Sequence, residues 1–372
     1  MYNGYKKILI VCRAFYPENS PRSFRATELA MEFARQGHDV SVLTLDRGNA
    51  YVDFLKKYKG IKILPLDHLK LKNINVNGGV HLKVIRRGIN RILFQLFEYP
   101  SIELSFRIAQ KLRQMEGFDI LISIAMPHTV HWGVAKSWGK RGKIAKVWIA
   151  DCGDPYMGEV TDSFRKPFYF KYVEKWFCNK ADYITIPIES ARKAYYKEFH
   201  NKIHVIPQGF SFKEIPQGFS KHVNPIPTFA YAGNFIPGVR DPKLFIEYLL
   251  KQDKSFRFEI YTKQRHLIDQ YEKKSSGRIV IRDFVPREQL FQEFRRMDFL
   301  VNFDNNTTIH SPSKLIDYSL SGLPVLNITK NPDINNIEEF LNGDYSSRLI
   351  LPNPEQYRIE NVAGKFLKFL SL

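Results

Sequence analysis

Three consecutive stretches decide the fold class: Lys7-Ile-Leu-Ile-Val-Cys12, the helical pattern from Arg22 to Gln36, and Asp39-Val-Ser-Val-Leu-Thr44. The first is apolar at every position after Lys7, as a strand covered on both faces of a parallel sheet requires. In the second, Ala26, Leu29, Ala30 and Phe33 share one helical face and Gly37 follows as a C-cap. The third returns to strand chemistry. Together they form a βαβ unit, whose crossover is expected to be right-handed.

The same alternation continues outward. Strands are predicted at Phe118–Ile124, Ala145–Ile149 and Tyr183–Ile186, with a last short one at His204–Ile206. Residues 207–227 break the pattern, with four prolines and the sequence Ile-Pro-Gln-Gly-Phe-Ser at Ile206–Ser211 and again at Ile215–Ser220. One short duplication reads as a linker insertion and not as a solenoid. Alternation then resumes: a strand at Phe229–Ala232, a helix at Lys243–Leu250, and strands at Phe256–Tyr261, Arg278–Arg282, Phe299–Phe303 and Val325–Ile328. The expected architecture is α/β, with two doubly wound Rossmann-like domains facing a cleft. Their expected bounds are 1–206 and 228–355 with a linker at 207–227, and the amphipathic C-terminal segment 356–372 packs back on the first domain.

Composition narrows the function. The 372 residues are 44% hydrophobic and 25% charged, which excludes a wholly disordered chain. No stretch approaches the ~20 apolar residues of a membrane-spanning helix. The chain begins directly with a strand-like segment and no secretory pattern, and its three cysteines suggest neither a disulfide framework nor a zinc site, so it is expected to be cytoplasmic. Lys+Arg outnumber Asp+Glu by 56 to 38, and residues 51–150 hold 18 of the bases against 6 acids, while residues 301–350 hold 3 against 6. An anionic membrane surface, nucleic acid and simple solubility all fit such an excess. No P-loop, G-x-G-x-x-G, H-E-x-x-H, G-x-S-x-G or Asp-x-Asp motif is present.

The segment from His310 to Ile328 carries the most chemistry. Ser311 suits the N-cap, Pro312 the first helical position, and Ser313 and Lys314 the first turn, so a hydroxyl, an ammonium and free N–H groups converge as an anion site. Asp317 lies one turn on, within reach of a ribose; an ordinary capped helix with a Lys–Asp pair is the plainer alternative. Arg240 and Lys243 stand near a Pro-bounded helix start, where Arg240 either reaches an anion together with Lys243 or simply pairs with Asp241 or solvent. His128 and His131 follow the carboxyl end of a strand, where either is placed to contact a hydroxyl or take its proton. Asp154, after the next strand, is a candidate for acceptor hydroxyls or for a plain Asp-Pro turn. In Val80–Phe97, Ile85, Ile89, Ile92, Leu93 and Leu96 share a helical face with Lys83, Arg86, Arg87 and Arg91 mostly off it. That stripe either packs on the sheet or lies on an anionic leaflet.

These segments resemble GT-B-fold glycosyltransferases, in particular the retaining family four group. Ser311 to Val325 is similar to that family's nucleotide-diphosphate pattern. Phe15-Tyr-Pro-Glu18, Arg35-Gln-Gly-His-Asp-Val-Ser-Val-Leu-Thr44, Trp148-Ile-Ala-Asp-Cys-Gly-Asp-Pro-Tyr156, His204-Val-Ile-Pro-Gln-Gly209 and Phe229-Ala-Tyr-Ala-Gly233 follow in the family's order. Three positions depart from it: Asn19-Ser-Pro-Arg22 replaces a Gly-Gly, Ile309 replaces the first acid of an acidic pair, and Asn234 replaces a basic residue. The resemblance implies a metal-independent transferase without a cofactor, taking a nucleoside-diphosphate sugar as co-substrate. Ser311, Ser313, Lys314, Asp317, Arg240 and Lys243 would then bind the donor, and His131, His128 and Asp154 would serve catalysis. The expected partners are that donor and an oligosaccharide or lipid-linked acceptor, with the chain peripheral on the inner face of an anionic membrane, in surface polysaccharide or glycolipid assembly. A catalytically lapsed scaffold of this fold is the rival; a nucleic-acid binder lacks the interleaved aromatics.

Overall fold

The computed structural model describes residues 4–77, 79–139, 144–159, 164–212, 224–304 and 313–371. The chain divides into two compact units, residues 1–211 with 357–372, and residues 212–356.

The first unit contains β1 (Lys7–Cys12), α1 (Pro21–Arg35), β2 (Asp39–Leu45), α2 (Asn49–Lys57), β3 (Ile61–Leu66), α3 (Val80–Phe97), α4 (Ile102–Leu112) and β4 (Phe118–Ile124). It continues through α5 (Thr129–Ser137), β5 (Ala145–Asp151), α6 (Phe170–Lys180), β6 (Tyr183–Ile186) and β7 (Ile203–Val205). Its strands are all parallel in the order β3-β2-β1-β4-β5-β6-β7. Chain order therefore runs outward on both sides of the β1–β4 junction. The loops after those two strands diverge there, which is where sheets of this kind hold ligands.

The second unit contains β8 (Thr228–Ala232), α7 (Lys243–Leu250), β9 (Arg257–Tyr261), α8 (Asp269–Lys274), β10 (Ile279–Arg282), α9 (Arg287–Phe294), β11 (Phe299–Phe303), α10 (Ser313–Ser321), β12 (Val325–Ile328) and α11 (Ile334–Leu341). Its parallel order β10-β9-β8-β11-β12 repeats the same switch at β8–β11. The chain then returns to the first unit through α12 (Ile359–Lys368), which buries Val362, Ala363 and Phe366 in a core shared with Leu29 and Phe33 of α1.

Two elements differ from the sequence expectation. Strand β3 is unforeseen because Lys62 and Pro65 interrupt its apolar run; it pairs with β2 alone, and a proline is tolerated on such an edge. Helix α3 does not pack on the sheet, since none of its 18 residues is buried. Ile206, the last residue before the expected linker, is core; within the linker Phe210 bridges to Arg358, and residues 213–223 lie outside the described ones.

One buried ion pair gathers the first unit. Arg25 of α1 donates from Nε to Asp151 Oδ2 at 3.1 Å and from Nη2 to Oδ1 at 2.8 Å. Its remaining donors reach the carbonyls of Pro207 and, at 3.1 Å, Ile206, and its guanidinium lies 5.1 Å from the centroid of the Phe366 ring. Thr185 of β6 adds a hydroxyl to Asp151 Oδ1 at 2.7 Å. Desolvation alone would raise the Asp151 carboxyl, but Arg25, with help from Arg22 and Thr185, outweighs it and holds the group below its ordinary range. The pair's contribution is thus present above the unfolded carboxyl pKa of about 3.9 and is lost as pH falls through the lower folded value.

Removing one partner leaves an uncompensated buried charge, so Arg25→Ala should cost about 3–5 kcal/mol in urea unfolding. A loss below ~1 kcal/mol would show that the pair does not organise the unit.

Candidate active site

In the first unit the site residues lie beyond β4 and β5. His128 immediately precedes α5 and is 4% exposed. Its ring bonds to the Asp154 main chain, and Nε2 is buried with no hydrogen-bond partner. The donor in that first bond is therefore Nδ1–H, which leaves Nε2 as a lone-pair acceptor. Burial, reinforced by His131 and Lys166, keeps the ring's pKa well below the usual histidine value. A cavity of about 160 Å³ opens at His128, with Phe94, Met126 and Phe164 as apolar lining. Its polar side is Tyr156, whose hydroxyl donates to Glu98 at 3.0 Å, and Lys166, which also bonds Glu98. Tyr156 lies 4.9 Å from the His128 ring, centroid to centroid.

His131 belongs to the core. It is fully buried, its Nδ1 is 2.8 Å from Ser123 Oγ, its Nε2 is 3.4 Å from Cys152 Sγ, and its ring stacks on Phe177 at 5.1 Å. Burial pushes its pKa down to about 3, so the ring is neutral. Both histidines follow the same strand; α5 turns His131 inward, which corrects its expected part in catalysis. Asp154 is half-buried in the loop beside His128, holding that ring by its main chain.

Arg22 enters from the first turn of α1. A Cβ added to Gly153 would come within 1.9 Å of the Arg22 guanidinium carbon, so a side chain there would displace the guanidinium from its present place. The Gly-Gly loop of the family pattern is thus replaced by a cation laid across the loop after β5.

In the second unit Lys314 stands in the first turn of α10. Its Nζ lies 4.8 Å from the centroid of the Tyr231 ring and 3.5 Å from the Phe303 carbonyl. Burial, with Arg240 acting in the same direction and Asp304 opposing, lowers its pKa to about 7. Arg240 also approaches Tyr231, and its Nε is buried without a partner. Asp241 does not take Arg240: its carboxylate accepts from the backbone N–H of Gly238 at 3.2 Å and of Lys243 at 3.0 Å. Gly233, with φ +152°, closes the approach, since a Cβ would meet the Tyr231 hydroxyl at 2.9 Å.

The structure therefore brings Arg240 and Lys314 together. Lys243 stands exposed at the start of α7. Asp317 is tied at 2.7 Å to Nε of Arg287, a residue the sequence reading passed over because it lies 30 positions away on α9. A ribose hydroxyl would share Asp317 with that arginine. Ser311 lies outside the described residues, and Ser313 is described only as the first residue of α10. No group of three or more metal-ligating side chains occurs among the described residues.

Two parallel, doubly wound units with polar side chains gathered beyond each switch point define the GT-B glycosyltransferase fold, and solved structures agree. TarM aligns with a TM-score of 0.62 at 12% identity, covering 100% of this chain and 99% of its own. HepE of Anabaena, solved with UDP and glucose, aligns at 0.57 and 10%, covering 99% and 100%. The lipopolysaccharide outer core galactosyltransferase WaaB aligns at 0.56 and 12%, covering 98% and 95%. No curated protein is a detectable sequence relative. The sequence profile of Glycosyltransferase Family 4 matches residues 24–213, just over half of the chain. The chain belongs to that family and is a glycosyltransferase.

An anion arriving beside Lys314 should restore its proton. UDP binding at pH 8 is therefore expected to take up a proton, seen as a calorimetric enthalpy that depends on the ionisation heat of the buffer. Lys314→Met should abolish the uptake. Affinity for the wild type should fall with rising pH above about 7, by at most ~10-fold per pH unit.

Proposed function

We propose that the protein moves a hexose from a nucleoside-diphosphate sugar to an acceptor hydroxyl, with retention of configuration and without a metal, in surface polysaccharide or glycolipid assembly. The observation that carries this reading is the Arg240–Lys314 pair at Tyr231. Two cations held in a largely desolvated place repel each other until an anion arrives, and a diphosphate is the anion a glycosyltransferase donor supplies. UDP in the HepE and TarM structures supports a uridine donor.

Charge develops on the β-phosphate as the glycosidic C–O bond breaks, and Arg240 and Lys314 would stabilise it at that moment. In a retaining reaction the departing phosphate oxygen takes the acceptor's proton while the new bond forms on the same face. His128, neutral and with Nε2 as acceptor, would hold a sugar hydroxyl in place and not act as the base. Ser311, Ser313 and Lys243 would complete the donor site, with Asp317 shared between Arg287 and the ribose, and Asp154 would contact acceptor hydroxyls.

A panel of labelled nucleotide sugars with nucleotide release as readout tests the proposal. Lys314→Ala and Arg240→Ala should each lower kcat/KM by about 100-fold or more, as loss of a transition-state donor does. His128→Ala should mainly lower kcat, and chelator should leave turnover unchanged. Donor binding without transfer to any acceptor would point to a lapsed enzyme.

The exposed α3 supports peripheral attachment to an anionic membrane on the cytoplasmic side. It carries Lys83, Arg86, Arg87 and Arg91 and no acid, with Val84, Ile85 and Ile92 each more than half exposed. No helix among the described residues is long and apolar enough to cross a membrane. Each cation near such a surface contributes about 1 kcal/mol, so Arg86→Glu with Arg87→Glu should abolish pelleting with phosphatidylglycerol vesicles. Wild-type pelleting should disappear in high salt; pelleting insensitive to salt and to both substitutions would refute the attachment.

A further inference from the structure

A second concavity, about 710 Å³ in volume, opens between the last turn of α3 and helices α4, α5 and α6. That is the size of a pocket for a substantial ligand, for which ~300–1,000 Å³ is usual. Leu96, Phe97, Trp132, Tyr172, Val173 and Trp176 make most of its wall, and no carboxylate lines it. Around it Phe97, Phe106, Phe168 and Tyr172 are each more than half exposed, and a cluster of exposed aromatic side chains marks an interaction surface.

This groove is continuous in construction with the His128 cavity. The last turn of α3 supplies Phe94 and Glu98 to the cavity and Leu96 and Phe97 to the groove. Between the two stands an aromatic partition: Tyr156, on the cavity side, meets Trp132 and Phe170, on the groove side, at 5.6 and 5.5 Å between centroids. Lys166 spans it, with Nζ 4.1 Å from the Phe94 ring centroid and 5.8 Å from that of Phe170. The cavity's wall is mainly apolar, but Glu98, Lys166, Tyr156 and the unpartnered buried Nε2 of His128 give it polar contacts that the wall of the neighbouring apolar trough mostly lacks. Polar groups thus gather at one end, as an amphiphile requires.

We propose that the groove holds the hydrocarbon chain of a lipid acceptor whose polar head lies in the His128 cavity. Naming it an acceptor rests on the transferase reading above; the chain site itself rests on the groove. The surroundings favour a lipid over other occupants. Four cations on α3, with Lys136 in the groove and Lys166 at the partition, suit an anionic interface. A second copy of this chain docking through the same face would bring its own α3 cations against these ones, which opposes a symmetric dimer.

The protein supplies its own reporters, because Trp132 and Trp176, two of its four tryptophans, line the groove. The experiment is fluorescence quenching of the full chain by a dodecyl maltoside brominated on its alkyl chain, kept below its critical micelle concentration. Saturable loss of about half the emission is expected, with none from free maltose. Leu96→Glu, at a position already 38% exposed, and Val173→Glu should each weaken the amphiphile at least 10-fold while the folded spectrum is kept. Absence of quenching up to the micelle concentration, or quenching unchanged in both variants, would overturn the proposal. So would sedimentation as a dimer that Leu96→Glu dissociates, since a second copy would then fill the groove. Calorimetry with UDP, GDP and ADP on the same samples separates the two readings: nucleotide binding without quenching removes the chain site alone, and quenching without binding of any of the three removes the proposed donor site while leaving the chain site.

Discussion

The contact between Arg25 and Asp151 is the constraint on which the first unit's site depends. Asp151 is the last residue of β5, and Cys152, Gly153 and Asp154 follow it directly. Arg25 lies one helical turn beyond Arg22. Locking Arg25 onto Asp151 therefore sets the height at which Arg22 crosses Gly153 and the place from which the Asp154 carbonyl holds His128. The same guanidinium reaches the carbonyls of Ile206 and Pro207 and faces Phe366, so the chain's exit toward the second unit and its return in α12 are fastened at the same point. Such a pair adds modestly to stability compared with an apolar substitute, but it ties together Thr185, the carbonyls of Ile206 and Pro207, and Phe366.

The two units then use burial in opposite ways. In the first, burial strips charge from His128 and a main-chain bond chooses its tautomer, which produces a neutral acceptor nitrogen. In the second, burial makes Lys314 reluctant to be charged, with Arg240 adding to that reluctance, so that only an arriving anion makes the cation comfortable. The first device suits recognition of a hydroxyl and the second suits a phosphate. Neither requires a carboxylate base, which agrees with a chain in which Ile309 stands where the family pattern has an acid.

Strand composition made most of the fold legible: Phe118–Ile124, Tyr183–Ile186, Phe299–Phe303, Val325–Ile328 and the helix Lys243–Leu250 carry predominantly apolar runs or a clear helical face and stand at the expected residues. Sites are harder, because pattern locates a loop and not the direction of a side chain. His128 and His131 are three residues apart, close enough to seem interchangeable, yet that interval turns one toward a cavity and the other into the core. Asp317 was legible as a carboxylate at the right turn, but its partner Arg287 arrives from a different helix and leaves no local trace. Arg22 was visible as a departure from Gly-Gly; that its guanidinium lies against Gly153 is a tertiary fact.

Helix α3 carries Lys83, Arg86, Arg87 and Arg91 of the basic excess in residues 51–150. Helices in globular proteins owe most of their stability to a buried apolar face, and α3 has none. It is held by polar bonds: Asn90 exchanges two hydrogen bonds with the Ile74 backbone, Arg86 donates to the carbonyls of Asn75 and Asn77, and Gln95 to those of Phe164 and Arg165. Glu98 fastens its end to Tyr156 and Lys166. Fixing a helix by its edges leaves its apolar stripe uncommitted while placing the last turn rigidly against both the cavity and the groove. An interface that took up the stripe would therefore act on a helix whose end forms part of the wall beside His128, so attachment and acceptor placement would share one mechanical element.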